Sequence, residues 1–441
     1  MLRDDPVPLN DSIAFTTRLI VEPRRAVVAS VLPGSDPPAA AASAADAGVP
    51  ADLLARHGAT VRQTHRRAGV VVVDVPADRQ AALAADLNGR GIPARPPLPV
   101  RPLLNDSVPL LHVPPVWAHG VRGAGVRVAI VDTGIDLTHP DLAGRVAAHA
   151  DFSGAGDHDD VGHGMHVAGI VAGAGAIYRG VGPEATLVIA KALSAAGGSE
   201  DAVLAAMSWA STQDVAVMNL SLGGPGSPSS PLSREVDALT ADGIIVCVAT
   251  GNEGPASGTV SSPGDARGAL TVGAADKTGA LAFYSSRGPV PGVRYRKPDV
   301  VAIGGGVTRG AACTYGTGIA SARAAVLDRD PCIVPPRYVR MSGTSMATPH
   351  VAGICALLVQ ASGERDAKRR ARIVRRSILS TCRPLIGESR DAAGAGLVDA
   401  AAALARVRRQ AAAIGGAAFA STPRPATNAS PAMANTRAKL K

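Results

Sequence analysis

Residues 126–137 read Val-Arg-Val-Ala-Ile-Val-Asp-Thr-Gly-Ile-Asp-Leu. The run of branched apolar residues does not alternate with polar ones, so it suits a strand buried on both faces, and Asp132 stands at its carboxyl end. Four later runs have the same character: ATLVIAKAL (185–193), VAVMNLSL (215–222), GIIVCVAT (243–250) and ALTVGAA (269–275). Helix-like stretches at 200–212 and 233–242 separate them. Short apolar strands alternating with helices predict an α/β domain with a mainly parallel sheet covered on both faces. In such sheets sites gather at the carboxyl ends of the strands, which directs attention to Asp132.

Outward from this core the chain divides into three zones. Residues 1–104 predict a small α+β domain. It has strands at 17–21, 60–63 and 70–75, a Pro/Ala-rich linker at 33–50, a helix at 51–57 closed by Gly58, and a second helix at 78–87 ended by Asn88-Gly89. An extended Pro-rich segment, 93–104, finishes this zone, which holds no nucleophile or metal cluster. Residues 105–405 form the α/β domain. From Arg406 to 441 the chain is rich in Ala, Pro, Ser, Thr and Asn, and reads as a disordered tail.

Composition excludes several functions. The 441 residues carry a net charge of +9, but the basic residues are scattered, and four Phe and five Tyr leave little to stack on bases. The densest basic run, Lys368-Arg369-Arg370 to Arg375-Arg376, falls in a helix and reads as a solvated face. No nucleic-acid partner is expected. No apolar run reaches the length of a membrane span, and no membrane association is expected either. The five cysteines (Cys247, Cys313, Cys332, Cys355, Cys382) show no zinc spacing and no CxxC. Cys247 and Cys355 sit in apolar runs and read as buried thiols. The start, MLRDDPVPLNDS, is unlike a secretory signal.

Two further motifs join Asp132. GHGMHVAGIVAG (162–173) places His163 where a Gly-rich loop turns into an apolar helix, with His166 reading as a packed residue. MSGTSMATPHVAG (341–353) places Ser345 at a helix start, where its own N–H and the helix dipole face a bound carbonyl. Pro349 is read as tolerated in the first turn. A lone DTG recurs nowhere else in the chain, so the paired carboxylates of an aspartic protease are ruled out.

VDTGID, GHGMHVAG, ATGNEG and GTSMATPHVAG, in that order, closely resemble the subtilase family of subtilisin-like serine proteases, over about residues 105–405. The resemblance implies the three-layer α/β/α subtilisin-like fold and a serine endopeptidase working through an acyl-enzyme, with Ser345 as nucleophile, His163 as general base and Asp132 as its orienting carboxylate. It gives Asn252 the oxyanion-hole amide, and Ser221, Leu222 and Gly223 the strand that pairs with substrate backbone. Small residues Gly223, Ala249 and Gly251 fall around the pocket for the residue before the scissile bond. Residues 1–104 look like the family's inhibitor-type, ferredoxin-like propeptide, with NDSVPLLHV resembling a mature start. Self-cleavage then falls near Leu104–Asn105, and Leu103-Leu104 implies an apolar preference. Protein substrates and the chain's own prodomain are the expected partners, the state is a monomer, and no cofactor is required. The prodomain points to export, whereas the N-terminal sequence points to the cytoplasm.

Three departures stand out. Met165 replaces the family's usual Thr in the HGTH element. Asp141, in THPDL, matches a common calcium-ligand position, but the loop that completes that site is here GAGAIYRGVG (173–182), without Asn or Asp, and no metal is assigned. From Gly304 to Arg340 a long insertion replaces a short connection. A Cys313–Cys332 disulfide inside it would contribute about 3 kcal/mol against an open loop; the alternative is a flexible surface segment with two free thiols. The rival function is a degenerate subtilase kept as a binding protein, which loss of any triad member would favour; all three residues and Asn252 are present.

Overall fold

The computed structural model describes residues 16–21, 49–65, 70–96, 107–306 and 317–420. Its contacts divide the chain into two units, Met1–Arg101 and Pro102–Lys441.

The first unit is a four-stranded antiparallel sheet with strands β1 (Thr16–Val21), β2 (Thr60–His65), β3 (Val70–Pro76) and β4 (Ala94–Arg95), in the order β2-β3-β1-β4. Helices α1 (Ala51–Arg56) and α2 (Gln80–Gly89) complete a βαββαβ order. Burial alternates along β3, with Val71, Val73 and Val75 inside, as in a sheet solvated on one face. The helices supply Leu53, Leu54, Leu83 and Leu87 to that covered face. The opening of the Pro-rich segment is thus not merely extended: β4 pairs with β1.

The second unit is built on seven parallel strands. They are β5 (Arg127–Asp132), β6 (Val146–Asp151), β7 (Thr186–Lys191), β10 (Val217–Leu220), β11 (Ile245–Ala249), β12 (Leu270–Ala275) and β13 (Val300–Ile303). A short hairpin, β8 (Leu193–Ser194) with β9 (Gly197–Gly198), interrupts the series. The sheet order is β13-β12-β11-β10-β5-β7-β6, so the chain leaves β5 toward one edge and returns to build the other. Strands β10 to β12 are buried at every position, which is why their sequences carry no alternation. The edge strand β6 alternates Ala and polar residues, and with the short β13 it escaped the search for apolar runs.

After the short helices α3 (Ser107–Leu110) and α4 (Val113–Ala118), six longer ones form the layers. One face of the sheet carries α5 (His163–Ala172), α8 (Thr344–Ser362), α9 (Ala367–Leu379) and, beyond the four-residue α10 (Arg390–Ala393), α11 (Ala400–Ala420). The other carries α6 (Glu200–Ser211) and α7 (Pro231–Ala241). Three layers result, as expected. The boundary drawn at 405 is corrected: α11 continues to Ala420, and Val407, 0% exposed, extends the core stripe begun by Ala403 and Leu404. Residues 421–441 lie outside the described residues.

Within the insertion, β14 (Ile319–Ala322), β15 (Ile333–Val334) and β16 (Tyr338–Met341) form a three-stranded antiparallel sheet. It grips α5 directly. The Ser321 hydroxyl donates to the His166 carbonyl at 2.7 Å, and His166 Nε2 donates to the Ile319 carbonyl at 2.9 Å. Cys332 is disulfide-bonded, so it is not a free thiol; its expected partner, Cys313, lies outside the described residues.

Candidate active site

Asp132 ends β5, and its fully buried carboxylate meets Nδ1 of His163 at 2.7 Å; the imidazole remains 26% exposed. The Thr133 N–H donates to the same carboxylate oxygen at 2.8 Å. Burial alone would push the imidazole pKa down, but the charge and hydrogen bond of Asp132, helped by the charge of Asp159, outweigh it and hold His163 above its usual 6.5. His166, fully buried on the same helix, is pushed down to about 3 by burial and stays neutral, a packed residue as the sequence suggested.

Ser345 is the second residue of α8, and its N–H has no acceptor among the described residues, as first-turn geometry dictates. Its hydroxyl donates to the Ser221 carbonyl at 3.1 Å. In return the Ser221 hydroxyl donates to the Ser345 carbonyl at 2.8 Å. Pro349 explains that second bond, and its reading is corrected: it is the sixth residue of α8, beyond the first turn. Lacking an N–H, it leaves the carbonyl four residues back, that of Ser345, free to accept from Ser221.

Asn252 follows β11. Its Oδ1 accepts the Thr344 N–H at 2.9 Å and the Thr344 hydroxyl at 3.0 Å. A backbone donor fixes which end of the amide is oxygen, so Nδ2 is the end left over. A Cβ built on Gly343 would lie 3.5 Å from that Nδ2, 3.6 Å from Oδ1 and 3.7 Å from the Ser345 nitrogen, so the Asn252 amide and the start of α8 border the same spot. A side-chain amide N–H beside an unpartnered helix-start N–H is the donor pair that an oxyanion needs.

Of the residues expected along the substrate, Ser221 is buried and spends both oxygens on Ser345, whereas Gly223 is exposed. Ala249 is buried in β11, and Gly251 adopts φ +108°, a conformation that favours glycine. A side chain at Gly251 would also meet Glu253 Oε2 at 2.5 Å and Ser286 Oγ at 2.7 Å. Sequence reasoning missed this polar wall; Glu253 lies in the quoted ATGNEG, but nothing marked Ser286 as its partner at 2.9 Å. Leu104 and Asn105 lie outside the described residues.

Also missed was the layer beneath the pair. Lys191, 1% exposed, ends β7, donates to the Thr133 carbonyl at 2.7 Å and pairs with Asp160. Asp141 accepts the Tyr338 hydroxyl of the insertion at 2.9 Å. Among the described residues no group of three His, Cys, Asp or Glu converges on a metal-sized site. Nor is any helix among them long and apolar enough to cross a membrane.

Carboxylate, imidazole and helix-start serine at the ends of a parallel sheet define the class of serine hydrolases with an Asp-His-Ser order. The subtilase family model matches residues 123–402, well over half the chain, and the chain belongs to the subtilase family. It is 37% identical over 293 residues to the serine protease AprX of Bacillus subtilis, spanning 59% of this chain and 63% of that one. Subtilisin Savinase of Lederbergia lenta is 37% identical over 253 residues, 57% of this chain and 82% of that one. A solved protease from Pseudoalteromonas arctica superposes with a TM-score of 0.58 at 27% identity, covering 70% of this chain and 99% of that one.

Proposed function

We propose that this chain is a serine endopeptidase made as a self-processing precursor. The observation that carries the reading is the buried Asp132 carboxylate 2.7 Å from His163, on a sheet whose strand β11 leads to Asn252, which in turn holds the Thr344 N–H at the start of the Ser345 helix. The Ser345 hydroxyl leaves the Ser221 carbonyl and attacks the scissile carbonyl carbon while Nε2 of His163 takes its proton. Asp132 keeps the imidazole in the Nδ1–H tautomer and stabilises the imidazolium. The carbonyl electrons move to oxygen, where Asn252 Nδ2 and the Ser345 N–H hold the anion. Collapse breaks the C–N bond, and His163 passes its proton to the departing amine. Water, deprotonated by His163, then releases the acyl group by the same path. No step draws on a cofactor.

An extended segment laid along Leu222-Gly223 would be held mainly by main-chain hydrogen bonds, which favours cleavage within unfolded stretches of protein. Residues 1–104 act as the intramolecular inhibitor, cut near Leu104–Asn105, and the mature domain works as a monomer. The test is labelling with a fluorophosphonate probe. The protein expressed as the full chain and allowed to process itself is expected to carry the adduct on Ser345, and Ser345→Ala to carry none; labelling that survives the substitution would end the reading.

A further inference from the structure

A second buried carboxylate lies under the Asp132–His163 pair. Asp159 is 4% exposed. Its Oδ1 accepts the Thr133 hydroxyl at 2.8 Å, the Gly162 N–H at 2.7 Å and the Val161 N–H at 3.1 Å. Its Oδ2 accepts the Met165 N–H at 2.8 Å. The Thr133 oxygen in turn accepts the Gly164 N–H at 2.8 Å. These bonds join the residue following Asp132 to the residues on both sides of His163. They also satisfy first-turn N–H groups of α5 that the helix itself cannot.

We infer that Asp159 is the positioning residue of the site: it holds the histidine turn against the aspartate strand and stabilises the charged imidazole that forms during attack. The inference rests on the endopeptidase reading above. Every group facing Asp159 is a donor, so an acceptor-only carboxylate fits where an amide would set N–H against N–H. Other charges around the imidazole are already placed. Asp132 meets Nδ1, Asp160 and Lys191 pair with each other behind Thr133, and His166 is neutral.

The test compares Asp159→Asn, Thr133→Val and Thr133→Ser in the full chain, with active sites counted by fluorophosphonate. Asp159→Asn is expected to lower kcat about 10- to 100-fold through misplacement, with KM little changed. It also removes a negative charge beside His163, so the acid limb of kcat/KM should move to lower pH. Thr133→Val keeps that charge and should lower kcat without moving the limb, and Thr133→Ser should restore kcat. Wild-type protein that takes no label refutes the endopeptidase reading, and this inference with it. A labelled wild type whose Asp159→Asn form keeps its kcat and acid limb, losing only thermal stability, overturns this inference alone. Should Asp159→Asn fail to fold, an unchanged kcat in Thr133→Val overturns it equally.

Discussion

At the scale of single residues, the proposed mechanism makes His163 the group that sets the working pH. A base must be neutral to act, and the imidazole pKa is held above 6.5 by Asp132 and Asp159. Activity should therefore fall as pH drops through a midpoint above 6.5, and Asp132→Asn should shift that midpoint downward; pH profiles of kcat/KM read both. Asn252→Ala should lower kcat by about 10²–10³, the size known for the corresponding donor in a subtilisin relative. Gly164 offers a sharper steric test. A Cβ there would overlap the Gly134 carbonyl oxygen and sit 3.0 Å from its nitrogen, and backbone atoms cannot swing aside as a side-chain end can. Gly164→Ala should push the histidine turn off the aspartate strand and lose most peptidase activity per folded molecule, whereas a variant of wild-type activity would count against so tight a junction.

At the scale of elements, the insertion changes what the histidine helix rests on. Ser321 and Ile319 of β14 bond His166, one turn along from His163, and a side chain at Gly162 would run into Leu327. Opening the disulfide at Cys332 should release this support. Cys332→Ser is expected to lower stability by about 3 kcal/mol, and activity should fall at temperatures below the main unfolding transition; assay and melting curve on the same sample separate the two. Sequence reading placed strands β5, β7, β10, β11 and β12 because strands buried on both faces leave unbroken apolar runs. It could not see β6, whose Ala-rich edge alternates weakly, nor that β14 would return to α5. Such a contact depends on chain segments more than a hundred residues apart. Asp132, His163, Ser345 and Asn252 were legible because each sits in a short motif at a strand or helix end. Asp159 was not: its value comes from four donors that converge only on folding, and in GDHDDVG it looks like any acidic loop.

At the scale of the whole molecule, α11 belongs to the core rather than to a tail. Leu404 and Val407 pack with α8 and α9, so a chain stopped after Ala405 should melt at lower temperature than one stopped after Ala420. Leu404→Ala alone should cost about 2–5 kcal/mol. The first unit has its own core and a four-stranded sheet in βαββαβ order. The chain spans 63% of AprX and 58% of the M-protease of Shouchella clausii, so the proposed endopeptidase activity rests on this chain's own residues.

The proposed chemistry stands or falls on Ser345 forming a covalent acyl-enzyme with Asp132 and His163 behind it. The most direct measurement is mass spectrometry of the protein quenched in acid during turnover of an activated ester. An acyl adduct is expected on the peptide containing Ser345, lost together with turnover in Ser345→Ala. Turnover that persists in Ser345→Ala, or an adduct carried by another residue, would contradict it.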